Sequence, residues 1–188
     1  MRRSTSLRLA ASAAAITVIV GAGAYGTYSA FTDTTDNTGN TFAAGTIDIT
    51  DDDAGTAMFT LTGMLPGTTA TRCINVSNVG TSPFANVALS GAVGGTGLAT
   101  SLTVVVDRGT GATGGAAFNC TGFTSVTANI VTGALSAFPT SGAPVNDATG
   151  WTPAAVKSYR FTVTLPSTAP QLAQGQNATL AVTWTASS

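Results

Sequence analysis

Tyr159-Arg160-Phe161-Thr162-Val163-Thr164-Leu165 and Leu180-Ala181-Val182-Thr183-Trp184-Thr185 decide the fold of this chain. In each stretch large apolar residues alternate with small or polar ones. That period of two places one set on a buried face and the other in water, so both stretches read as strands. A one-residue slip would turn the aromatics outward, which specifies the register strongly. The intervening Gln174-Gly175-Gln176-Asn177 supplies a turn.

Working back along the chain, Thr46 to Thr50 alternates strictly and predicts a strand that Asp51-Asp52-Asp53 ends by charge repulsion. Ala57 to Leu61 predicts the next. Leu65-Pro66-Gly67 is a turn, with Pro presetting φ at the first corner and Gly taking the positive φ after it. Strands follow over Thr69–Ser77 and Phe84–Leu89 and around Leu102, Val104 and Val106. Residues 116–135 hold less pattern and suggest one strand near Phe118 with a short helical turn. Residues 138–153, rich in Pro, Gly, Ser and Asp, read as a long surface loop. Thr and Val abound, and no apolar repeat of helical period appears after the N-terminus. About eight short strands with polar outer faces predict an all-β antiparallel β-sandwich. The count fits a jelly roll and an immunoglobulin-like arrangement equally.

The N-terminus has a different character. Arg2, Arg3 and Arg8 precede an apolar run from Leu9 to about Ala24, and Tyr28-Ser29-Ala30 follows. A charged start, an apolar middle and a small residue at the end make a helical secretory signal over residues 1–30. The run is short for a membrane anchor, which needs about 20 consecutive apolar residues. A twin-arginine export signal fits poorly, since Ser4-Thr5-Ser6 stands where an apolar pair belongs. Residues 31–45 (FTDTTDNTGNTFAAG) are polar and read as an extended arm; residues 46–188 form the sandwich domain.

After the signal only Arg72, Arg108, Lys157 and Arg160 are cationic, against eight aspartates. Phosphate backbones are bound by clustered Lys and Arg, so nucleic acid is not an expected partner. The two cysteines, Cys73 and Cys120, read as one disulfide in an oxidising compartment. The chain has no histidine, and all its acids are Asp. That removes Ser-His-Asp and Cys-His arrangements and His-ligated zinc. Asp51, Asp52 and Asp53 read first as a solvated turn; a weak calcium site and a carboxylate hydrolase are the chemical alternatives. Trp151, Trp184 and Phe138 offer a sugar-stacking platform, with Trp184 placed in the core by its alternation and Trp151 freer in its loop. The expectation is no enzyme and no cofactor. Asn75, Asn119 and Asn177 match glycosylation acceptors.

Residues 24–33 (AYGTYSAFTD) and 38–49 (TGNTFAAGTIDI) resemble the start of TasA/camelysin-family proteins, an export junction followed by a Phe-x-x-Gly-Thr strand. Leu65-Pro66-Gly67 through Ile74-Asn75-Val76-Ser77-Asn78-Val79-Gly80 resembles the family's Pro-Gly turn and following strand. Residues 174–186 resemble its final strand. The resemblance implies cleavage between Ala30 and Phe31 by a dedicated signal peptidase, a jelly-roll-like subunit, and secretion to the extracellular matrix or cell surface of a bacterium. It implies biofilm fibres grown by strand donation, a homopolymer with related fibre subunits as further partners. The assembly segment would then comprise Phe31, Thr38, Gly39, Asn40, Thr41, Phe42 and Gly45, with Phe31 and Phe42 as plugs. Some members are described as metalloproteases; the missing His and Glu make that chemistry unexpected here. The rival reading is a carbohydrate-binding or adhesive surface module built on Trp151.

Overall fold

The computed structural model describes residues 45–187. The signal segment, the Ala30–Phe31 junction and the assembly residues Phe31, Thr38, Gly39, Asn40, Thr41 and Phe42 lie outside the described residues. Among the described residues nine strands form: β1 (Ile49–Asp51), β2 (Phe59–Thr62), β3 (Thr69–Asn78), β4 (Asn86–Gly95), β5 (Thr103–Thr110), β6 (Thr124–Ala134), β7 (Val145–Asp147), β8 (Val156–Thr164) and β9 (Asn177–Ser187). They make two antiparallel sheets, β1-β3-β8-β5-β6 and β2-β9-β4-β7. The chain crosses between sheets at most connections, and β5–β6 is a hairpin within one sheet. The all-β sandwich read from the sequence is the fold.

The central strand of the first sheet is β8, whose Tyr159, Phe161 and Val163 are fully buried. They meet Ile74 and Val76 of β3 and Val104 and Val106 of β5 on the same inner face. The second sheet answers with Phe59, Leu61, Val87, Leu89, Ala178 and Leu180. Phe59 packs its edge on Phe161 at 6.5 Å, and Phe161 meets Trp184 at 6.4 Å, nearly perpendicular. Each such side chain contributes about 1.5–3 kcal/mol by leaving water.

Several elements depart from the pattern reading. The first strand is shifted and shortened, because the Thr46 and Asp48 carbonyls instead accept from Val79, Gly80, Thr81 and Ser82. In the unclear region the strand is β6, and Phe118 sits in a tight turn at φ 50. As an edge strand β6 buries only Val131, so it carries no apolar alternation to read. β4 runs on through Ser90–Gly95, where small residues suffice because Phe138 covers Gly91. Residues 138–153 contain β7, and the segment is pinned at both ends by buried Phe138 and Trp151. Trp151 is 1 % exposed and stacks on Phe84 at 5.7 Å, so the freer tryptophan of the sequence reading is a core residue and no sugar platform.

A polar cluster sits beside Trp151. Asp147 accepts from the Tyr159 hydroxyl (2.8 Å) and Thr149 Oγ1 (2.7 Å) and pairs with Arg108 (3.3 Å) and Lys157 (3.9 Å). Lys157 lies 4.1 Å above the Trp151 ring and donates to the Gly150 carbonyl. Burial lowers the Lys157 ammonium from its ordinary pKa, and burial followed by Asp147 pushes the Tyr159 hydroxyl far up.

Candidate functional site: an open rim between the sheets

β9 pairs with β4 from Ala178 to Ser187. On its other side β2 covers only Asn177–Leu180. From Ala181 to Ser187 that side has no strand partner among the described residues. The loss of cover is visible in the side chains. Ala178 and Leu180, beside β2, are buried to 0 % and 2 %; Val182, Trp184 and Ala186, on the same face one step further, are only half-buried.

The backbone direction follows from a neighbour. The Gly91 N–H donates to the Pro139 carbonyl (2.8 Å), away from β9, and Gly91 faces Val182 across the ladder. In an antiparallel pair a residue sends both backbone groups to one side, and successive residues alternate. Val182, Trp184 and Ala186 therefore aim N–H and C=O at the uncovered side, while Thr183 and Thr185 bond to β4.

Two clefts follow this rim. One of about 510 Å³ is lined by Met58, Phe59, Ile74, Leu180, Val182 and Trp184, among others. The second, of about 310 Å³, lies between Ile49–Asp51 of β1 and Val182–Trp184 of β9, with Val76 at its base. Val182 and Trp184 line both, so the two clefts adjoin along β9 and together make up the slot. The Trp184 indole N–H is buried beside it without a partner among the described residues.

The rim of the first sheet is treated differently. Ser77 pairs with Thr50 of β1, and the Cys73 N–H donates to the Phe118 carbonyl (2.9 Å). Asp52 accepts from the Asn75 N–H (2.9 Å), Asn75 Nδ2 (2.8 Å) and the Gly115 N–H (2.8 Å). The Cys73–Cys120 disulfide ties this loop to β3 as expected. Asp52 is thus a structural clamp, and Asp53 caps its own turn at the Gly55 N–H. Among the described residues no group of three His, Cys, Asp or Glu is placed to hold a metal. Burial, then neighbouring Asp53 and Asp52, raises the Asp51 carboxyl above its usual pKa.

Of the expected assembly residues, Gly45 is the one described. A Cβ there would collide with the Ser82 side chain, and one on Gly80 would collide with the Thr46 carbonyl and the Asp48 amide nitrogen. Glycine at both positions lets 45–48 lie flat against 79–82.

No curated protein matches the chain. A family model described as camelysin metallo-endopeptidase matches residues 1–98. The match takes in two of the three blocks that carry the resemblance, the export junction and the Pro-Gly turn with its strand. It also corrects the expectation of no enzyme, since the family is described as a peptidase. The metal that description implies finds no fitting ligand set among the described residues. There is no His or Glu in the sequence, both cysteines are consumed by the disulfide, and both Asp52 oxygens are engaged. With more than half of its residues matched, the chain belongs to the camelysin metallo-endopeptidase family, whose members are TasA-like.

Proposed function

We propose that this chain is a secreted subunit of an extracellular or cell-surface fibre, and that residues 31–45 of one copy fill the slot beside β9 of the next. One observation carries the reading: inward-facing β9 residues lose their cover where β2 ends, although the strand continues for seven more residues. An extended segment laid there gains main-chain hydrogen bonds from the free edge and specificity from alternate side chains. Donor and acceptor are different surfaces, so the contact is head-to-tail and continues into a filament instead of closing.

The arm suits the slot in composition. Residues 37–45 (NTGNTFAAG) carry no charge and include Phe42 as an apolar anchor. The export-like N-terminus and the disulfide support an extracellular site of action. A dedicated signal peptidase cutting between Ala30 and Phe31 would free the arm, and related fibre subunits are candidate second partners. Removing residues 31–42 from the purified mature protein tests this. Electron microscopy should show isolated particles; fibres growing undiminished would refute it.

A further inference from the structure

We infer that the rim of the sandwich opposite the slot, between β6 and β7, holds a binding site for a small monocarboxylate with an apolar body, such as an aromatic or branched aliphatic acid. The inference stands apart from the fibre reading and uses none of its residues.

β6 and β7 end their sheets on that side. Between them lies a cavity of about 230 Å³. Leu89 of β4, Ile130 of β6 and Val145 of β7 give it apolar walls, and Arg108 and Asp147 are the charged groups in its lining. A local irregularity shapes the space. Val106 pairs with Val131 and Arg108 with Thr127, so two steps along β5 are matched by four along β6. Asn129, among the surplus residues, takes φ 57 and donates its N–H to the Asp107 carboxylate (2.8 Å). Bulges bend a strand and re-aim its side chains. Here the bulged strand supplies Thr127 and Ile130 to the cavity wall above Arg108.

The charges behind this cavity do not balance. Arg108, Lys157 and Asp147 are all buried, two cations against one carboxylate. Tyr159 is no second anion, because burial and then Asp147 hold its hydroxyl in the neutral form. Asp107 is the next acid along β5, but it is paired with Arg160 (2.6 Å). One positive charge is therefore in excess where water is scarce, and an uncompensated buried charge is costly. A bound monoanion cancels it. Asp147 would repel that anion, but both of its oxygens already face donors: Thr149 and Arg108 at one, Tyr159 and Lys157 at the other.

Arg108 has capacity left for a ligand. Its Nε pairs with Asp147 (3.3 Å) and its Nη2 donates to Thr127 Oγ1 (2.5 Å), while Nη1 has no hydrogen-bond partner among the described residues. A guanidinium presents its N–H groups as a planar fork that suits a carboxylate. The apolar walls set the rest of the ligand. A cavity of about 150 Å³ lined by aliphatic side chains takes up benzene, so this larger one has room for a ring and a carboxylate.

The test is equilibrium dialysis of labelled benzoate against the purified mature chain, with neutral benzamide as the matched control. Benzoate should bind saturably, and benzamide about tenfold or more weakly, since a charge-assisted hydrogen bond is lost. Lys157→Met removes the excess charge without altering a residue of the cavity wall; it should weaken benzoate several-fold and leave benzamide unchanged. Ile130→Trp and Val145→Phe fill the cavity from opposite walls, and either one that keeps the native melting temperature should abolish binding. Absence of saturable benzoate binding, equal affinity for benzamide, or benzoate binding that survives a folded cavity-filling variant would each overturn the inference. If the variants fail to fold, the comparison of benzoate with benzamide on the native chain still decides.

Discussion

Replacing Val182 with proline should block assembly and leave the fold nearly intact. Val182 sends its N–H to the uncovered side of β9, so the substitution breaks no bond to β4. Proline is tolerated at such edge positions and excluded from central ones. Folding should lose no more than about 1.5 kcal/mol, from modest repacking of a half-buried site. Assembly loses one main-chain bond, worth roughly 0.5–1.5 kcal/mol, and the ring also occupies the path of the incoming carbonyl. About 1.4 kcal/mol is tenfold in an equilibrium constant, so the lost bond alone should raise the critical concentration for fibres about two- to twelvefold, and the obstructing ring raises it further. Thr183→Pro is the matched opposite. It removes a ladder bond to β4 and should cost about 3 kcal/mol or more. At roughly 2–4 °C per kcal/mol for a chain of this size, its melting temperature should fall by about 6–12 °C. Thermal unfolding by circular dichroism and a sedimentation assay for fibres separate the two effects. The parity argument fails if Val182→Pro melts as low as Thr183→Pro, or if it polymerises at the wild-type concentration.

Asp147→Ala should cost about 3–5 kcal/mol in urea unfolding, because it leaves Arg108 and Lys157 buried without their counter-charge; a loss under 1 kcal/mol would mean the cluster is hydrated. Cys73→Ala with Cys120→Ala should destabilise by roughly 4 kcal/mol from the freed loop and speed amide exchange at Cys73 and Asn75. Asp51 gives a pH signature. Its carboxyl is held above its usual pKa, chiefly by burial and then by Asp53 and Asp52, so the folded chain binds that proton more tightly than the unfolded one. The protonated form favours folding, and this contribution is lost as pH rises through the raised value. Asp51→Asn should therefore gain stability relative to wild type as pH rises through the acidic range, measured as the difference between two urea titration series; a difference that does not change with pH would contradict the raised pKa.

The parts of the fold legible in the sequence were those in which a strand has one buried and one wet face. β8 and β3 show it in Tyr159, Phe161, Val163, Ile74 and Val76. β6 was not legible because an edge strand with ten unburied residues has no alternation to display. Trp151 lay in a stretch of turn residues, and its burial comes from pairing with Phe84 across 67 positions, a contact no local window contains. The open rim beside β9 was hidden for a further reason. Residues 178–186 alternate uniformly, and nothing local marks Leu180 as the last covered position. That boundary is set by where β2 starts and stops, four residues paired with 177–180. A free edge belongs to the topology, and the sequence of the strand that carries it is silent.

The other rims make the exposed part of β9 stand apart. Soluble sandwiches blunt their edges with short strands, bulges, charges or covering loops, because unpaired backbone recruits other chains. β1 and β7 have three residues each, and β2 has four. β6 is broken by two register shifts near Arg108, with the Asn129 N–H diverted to the Asp107 carboxylate. β3 is sealed by β1, Asp52 and the disulfide-tied loop. Ala181–Ser187 (AVTWTAS) has none of these devices: seven residues in regular register with β4, without charge, proline or covering loop among the described residues. Its half-covered Trp184 and Val182 add an apolar reward to pairing that β6, with its polar Thr and Ser, does not offer. On the proposed reading, this bare edge is where a partner strand arrives after folding, supplied by residues 31–45 of a neighbouring copy.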